Sequence, residues 1–139
     1  NRSSLLLKRI FHILKGKFKD KKICFLGVTF KANTDDMRDS SSLSLIPSLV
    51  KKGAKINYYD PTGEKDDFKK LKNVSFSNNI NVAIKNSDLI VIHTEWNDFK
   101  SINFKKKVEN KKFIIFDMRN IYSPAKMQEL KIKYFGVGC

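Results

Sequence analysis

Polar, charged and aromatic groups whose types could form a site gather in four short stretches of this 139-residue chain. Lys31, Asp35, Asp36 and Arg38 fall in the first, Asp60 in the second, Thr94, Glu95 and Trp96 in the third, and Asp117 and Arg119 in the fourth. Arginine is the informative type, because 24 of the 28 basic residues are Lys and only Arg2, Arg9, Arg38 and Arg119 are not. Where Lys is the default cation, an Arg marks a place that wants a planar fork, which grips phosphate or carboxylate bidentately. In the first stretch Phe30 offers a flat face, Lys31 a point charge and Arg38 a phosphate contact. The same residues allow a plainer reading, in which Asp36 pairs with Arg38 and Asp39 or Ser40 caps the next helix. Both stand on sequence alone. Trp96 can stack on a base or ribose, but a large aromatic there is expected first as a packing anchor. His93 and His12 read as structural, since no partners stand at metal-ligand spacing. Cys24 lies in the apolar run Ile23 to Leu26 and reads as a buried thiol, while Cys139 is terminal. Two such cysteines make no disulfide framework and fit a reducing, cytoplasmic setting.

Positioning these groups requires a scaffold, and the hydrophobic pattern supplies one. Short apolar runs at Ile23–Val28, Lys55–Tyr59, Leu89–His93 and Phe113–Phe116 predict buried strands, with smaller ones at 74–76 and 134–137. Helices are predicted at 3–15, 40–52, 81–85 and within 101–109, with a short one around 68–71. Ser3 or Ser4 can cap the first helix and Gly16 can end it. Pro47 predicts a kink or a late start in the second. Ser123-Pro124 reads as cap and first residue of the last helix. Lys105 to Lys107 reads as a solvated helix face, with Phe104 and Val108 turned inward. Strand and helix alternate, which calls for a doubly wound, Rossmann-like parallel sheet with helices on both faces. In such a sheet ligands sit beyond the carboxyl ends of the strands, where the order reverses. All four polar stretches follow strands, so they should open on one edge. Residues 1–16 precede the first strand and look like an appendage. If that helix exposed Leu6, Ile10 and Leu14, it would be expected to pair with a second copy.

Bulk properties narrow the function classes. The chain is 41% apolar, suited to one compact domain, and no apolar run approaches a membrane span. The net charge of +14 raises a nucleic-acid reading. Against it, the Lys residues are scattered rather than gathered into a stripe, and the Arg residues sit in the loops. The lone Gly27 after the first strand is not the G-x-G-x-x-G fingerprint of a dinucleotide site. The start at Asn1 rather than Met reads as a fragment of a longer chain.

Particular segments add a resemblance. "KICFLGVTFKANTDDMRDSSSLSLI", "GAKINYYDP", "SDLIVIHTEWNDFKSI", "FIIFDMRNIYSPAKM" and "YFGVG" occur in this order. Together they resemble the C-terminal domain of the UDP-glucose/GDP-mannose dehydrogenase family over roughly residues 20–138. The resemblance implies a nucleotide-sugar-binding domain at 20–139, with 1–19 the end of a central-domain connecting helix and linker. Members oxidise the C6 alcohol of a nucleotide sugar to a carboxylate with two NAD⁺, through a thioester held on a central-domain cysteine. For the sugar, "TEWNDF" and "DMRNIYSP" lean towards UDP-glucose, giving UDP-glucuronate; GDP-mannose or a UDP-N-acetylhexosamine is the alternative. By match, Phe30, Lys31 and Arg119 resemble substrate-binding residues, and Arg38 resembles the Arg that reaches NAD. Met118 stands where many members have Gly. No catalytic or metal-binding residue carries over, so the chain is expected to be inactive without the N-terminal and central domains. Those domains and the UDP-sugar are its expected partners, with no nucleic acid and no membrane, and a homo-oligomer is expected only for the full-length enzyme. Competing readings are a basic nucleic-acid-binding module and a free-standing nucleotide sensor.

Overall fold

The structure is a computed structural model and describes residues 2–137, so Cys139 and the last glycine of "YFGVG" lie outside the described residues. The elements run α1 (Arg2–Ile13), β1 (Lys22–Leu26), α2 (Ser42–Lys51), β2 (Lys55–Tyr59), β3 (Val74–Phe76), α3 (Ile80–Ile84), β4 (Leu89–Ile92), α4 (Phe104–Lys107), β5 (Ile114–Asp117), α5 (Pro124–Glu129) and β6 (Lys133–Gly136). Six parallel strands form one sheet in the order β3-β2-β1-β4-β5-β6. The doubly wound expectation holds.

Alternation along each strand sends neighbours to opposite faces. Ile23, Phe25, Leu89 and Val91 face a core shared with Leu45, Ile46 and Leu49 of α2. Cys24, Leu26, Ile90 and Ile92 face a second core with Ala83 and Ile84 of α3, Phe104 of α4 and Met127 of α5. Strands buried on both faces are apolar throughout, which is why the runs at 23–26 and 89–92 were readable as such.

Helix α1 differs from its expectation. Leu6, Ile10, Ile13 and Leu14 are buried in the first core rather than exposed, so this face is taken within the chain itself. Arg9 ties it across the sheet, donating to the Gly136 carbonyl at 2.8 Å and lying 5.6 Å from the Phe116 ring centre. Ser3 and Ser4 lie inside the helix instead of capping it. Gly16 closes it at φ 72°, its N–H donating to the Phe11 carbonyl at 2.9 Å. In the link between α1 and β1, Phe18 is buried against the same core.

At the other helices the local rules hold. Asn79, Asn103 and Ser123 cap α3, α4 and α5, their side chains accepting from Val82, Lys106 and Lys126 N–H groups. Phe104 and Val108 turn inward as expected. Helix α2 starts two residues later than predicted, at Ser42, and runs through Pro47.

Candidate functional site

Strand order reverses between β1 and β4, and the site begins where β1 ends there. Gly27 has φ 78°, and a Cβ on it would stand 2.5 Å from Thr94 Cβ. Only glycine lets the two strand exits approach so closely. The long loop that follows is pinned by every strand end around it. Asp60, buried after β2, accepts from Val28 N–H at 2.9 Å and from Thr62 N–H at 2.9 Å. Ser40 and Ser42 hydroxyls both donate to the Val28 carbonyl at 2.6 Å. Thr94 donates its hydroxyl proton to the Thr29 carbonyl at 2.9 Å.

Asp117 performs the equivalent task at the end of β5. Fully buried, its carboxylate accepts from Arg119 N–H at 3.0 Å, Tyr122 N–H at 3.0 Å and the Tyr134 hydroxyl at 2.7 Å. This turns the chain and aims Arg119 back over the sheet edge. Burial, and then the Asp117 charge, push the Tyr122 phenol far up, so it stays protonated and donates to the Phe99 carbonyl. The guanidinium of Arg119 bridges two loops. Its Nε donates to the His93 carbonyl at 3.0 Å and its Nη2 to the Phe30 carbonyl at 2.9 Å.

Below this bridge lies a recess of about 290 Å³ lined by Phe30, Asp39, Ser41, His93 and Arg119. His93 is buried, with Nε2 2.9 Å from Ser41 Oγ and Nδ1 3.1 Å from Thr94 Oγ1. Of the residues singled out from sequence, Phe30 and Arg119 line the recess. Lys31 stands exposed on the same loop, outside the lining; its carbonyl accepts from the Thr29 hydroxyl at 2.9 Å, while its ammonium has no hydrogen-bonded or ion-paired partner among the described residues. Arg38 is also outside. Its side chain is 87% exposed and forms a fork with Asp36, Nε to Oδ1 at 3.0 Å and Nη2 to Oδ2 at 2.9 Å. That contact holds the Asp36 carboxyl down at about 2. Pairing of these two, one of the alternatives left open by sequence, is therefore the observed arrangement. The capping half holds in part: the Ser40 oxygen accepts from the Ser42 N–H at 3.3 Å at the start of α2, whereas Asp39 makes no such bond.

Trp96 is 8% exposed and packs in the second core, as expected of an anchor, though its indole N–H is buried without a partner among the described residues. Burial pushes the Cys24 thiol up to about 12, which removes it as a nucleophile. Asp39, Ser41 and His93 escaped sequence reasoning as site residues. Their meeting depends on a contact 52 residues apart, which leaves no local signature.

The profile of the UDP-glucose/GDP-mannose dehydrogenase family, UDP binding domain, matches residues 24–124. A UDP-glucose 6-dehydrogenase from Rickettsia felis is 36% identical over 140 residues, covering 99% of this chain and 31% of the relative. Among solved structures, a UDP-D-ManNAc dehydrogenase from Pyrococcus horikoshii is 25% identical, with TM-score 0.73, over 98% of this chain and 30% of that one. An NDP-N-acetyl-D-galactosaminuronic acid dehydrogenase from Methanosarcina mazei shares the fold, with TM-score 0.79 at 24% identity over 99% of this chain and 28% of that one. The chain thus spans about a third of the length of the curated relative it matches.

Proposed function

The chain belongs to the UDP-glucose/GDP-mannose dehydrogenase family, matching its UDP binding domain, and we propose that it holds the nucleotide sugar for an NAD-dependent 6-dehydrogenase, with UDP-glucose as the sugar oxidised to UDP-glucuronate. The observation that carries this reading is the Arg119 bridge. Two backbone carbonyls fix the guanidinium at the sheet's reversal point, where open parallel sheets bind ligands. Nη1 has no partner among the described residues, which leaves a donor on a fixed guanidinium that lines the recess. A preset donor loses little freedom on binding. Phe30, 49% exposed, supplies a flat face beside it, and Lys31 a free cation on the same loop. Phe30, Lys31 and Arg119 are the proposed substrate contacts.

This sheet does not itself suit a dinucleotide. The acid after β2, which in such sites takes a ribose hydroxyl, is used here by Val28 and Thr62. With Gly27 alone at the β1 exit, no glycine-rich turn among the described residues cradles a pyrophosphate in the usual way. NAD and the catalytic cysteine are therefore assigned to N-terminal and central domains, with α1 as the connection, and this chain alone performs no turnover. Arg38, held outward by Asp36, is proposed to reach the cofactor from across the cleft. Self-association is assigned to the full-length enzyme. A cytoplasmic setting agrees with the buried, unreactive Cys24 thiol, and among the described residues no helix is long and apolar enough to cross a membrane.

Calorimetric titration with UDP-glucose, UDP and GDP at two salt concentrations tests the reading. Saturable binding of the uridine ligands is expected, with GDP weaker and only a shallow loss at high salt. Absence of saturable uridine binding, or preferential binding of a polynucleotide with steep salt dependence, would overturn it.

A further inference from the structure

From the walls of the Arg119 recess we infer that Ser41 and Asp39 form a hydroxyl-reading pair that sets ligand specificity, with His93 as the positioning residue that fixes the Ser41 proton. The inference rests on the nucleotide-sugar reading above and goes beyond it, since it assigns what the recess recognises besides phosphate.

The first observation is a chain of hydrogen bonds with one consistent direction. Thr94 has a single hydroxyl proton and gives it to the Thr29 carbonyl. Towards His93 Nδ1, at 3.1 Å, Thr94 can then only accept, so Nδ1 carries the ring proton. In the neutral imidazole Nε2 is left as an acceptor, and it takes the Ser41 proton across 2.9 Å. Ser41 is thereby stripped of its donor, and its oxygen lone pairs are what it can offer the recess.

The position of Ser41 is the second observation. Serine is favoured at a helix N-cap because its oxygen accepts from the first-turn amides. Here that task falls to Ser40, whose oxygen accepts from the Ser42 N–H at 3.3 Å, and Ser41, with φ -65° and ψ -19° at the entry to the ten-residue α2, makes no cap bond. The Ser41 hydroxyl is therefore not needed by the helix end, and it is held by His93 in the wall of the recess.

Asp39 supplies the third. It lines the same recess at φ 61°, with neither a hydrogen-bonded nor an ion-paired partner among the described residues. A pure phosphate cradle would not carry a carboxylate in its wall, because like charges so close are costly. A recess with Arg119 on one side and two acceptors on the other fits a ligand that is anionic at one end and presents a hydroxyl at the other. In a nucleotide sugar that hydroxyl comes from either the ribose or the hexose.

The experiment compares Ser41→Ala and Asp39→Ala with the parent chain by calorimetry, using UDP-glucose, UDP and 2′-deoxy-UDP, and pyrophosphate as a hydroxyl-free anion. Ser41→Ala is expected to weaken UDP-glucose binding about three- to tenfold, the range for one neutral hydrogen bond. The melting temperature should not move, since no cap is lost, and pyrophosphate affinity should be unchanged. Asp39→Ala should weaken UDP-glucose binding while pyrophosphate binds as well or better. A loss shared by UDP, and absent for 2′-deoxy-UDP, assigns the ribose; a loss confined to UDP-glucose assigns the hexose. His93→Gln, whose carbonyl can take the Ser41 proton, should stay near parent affinity, whereas His93→Leu should lose as much as Ser41→Ala. Equal losses on UDP-glucose and pyrophosphate, or none on either, would overturn the hydroxyl-reading pair alone. Failure of the parent chain to bind UDP-glucose would instead overturn the functional reading beneath it.

Discussion

Two arginines on the same sheet edge have opposite environments. Arg119 is half-buried and spends two of its nitrogens on backbone carbonyls, whereas Arg38 is exposed and spends its fork on Asp36. Arg119→Lys removes the bridge as well as the ligand contact, since a lysine presents one ammonium rather than a planar fork. UDP-glucose affinity should fall about ten- to a hundredfold, the range for a hydrogen bond to a charged group, and calorimetry would show it. For Arg38 the informative variable is pH. Its partner Asp36 is held at about 2 against an ordinary 3.8, so the pair is fully present above the ordinary value and is lost as pH falls through about 2. NMR titration of the Asp36 carboxyl should give a midpoint near the lower figure; a midpoint near the ordinary one would mean that the pair does not form in solution. At this scale legibility followed rarity. Arg119 stood out because arginine is scarce here, while Asp39, Ser41 and His93 looked like common loop and strand-end residues until the fold brought them together.

Elements were legible where one physical cause dominated. Strands buried on both faces had to be continuous apolar runs, and Ser123-Pro124 announced α5 through its capping chemistry. The start of α2 was less legible, because the hydroxyls of Ser40 and Ser42 go to the Val28 carbonyl, a contact that the local sequence does not show. Gly27 is the sharpest instance. Along the chain it is a lone glycine after a strand, and only its approach to Thr94 explains it. Gly27→Ala adds positive-φ strain to a 2.5 Å clash of carbon against carbon. It should destabilise the fold by about 2–4 kcal/mol. Urea unfolding checks this, and a loss under about 0.5 kcal/mol, the level of an ordinary surface change, would contradict the close packing of the two strand exits.

The chain as a whole is held by two cores on either side of one sheet, and α1 belongs to the first of them. Its apolar stripe requires that a face be buried but does not specify what buries it, which is why a second copy was as compatible with the sequence as the chain's own core. With Ile10 fully buried, Ile10→Ala should cost about 2–5 kcal/mol in chemical unfolding, whereas a free appendage would lose almost nothing. The polar stretches after β1, β4 and β5 converge only because parallel strands put their carboxyl ends on one edge. That convergence was deducible from sequence; which side chains would share a recess was not. The most direct test of the central claim is a map of backbone amide shifts in the ¹⁵N-labelled chain titrated with UDP-glucose. Shifts should concentrate at 27–42, 93–96 and 117–120, with the lysines at 105–107 and the opposite sheet edge unmoved. Shifts spread over the lysine-bearing surface, or centred away from Arg119, would contradict a nucleotide-sugar site at the reversal of the sheet.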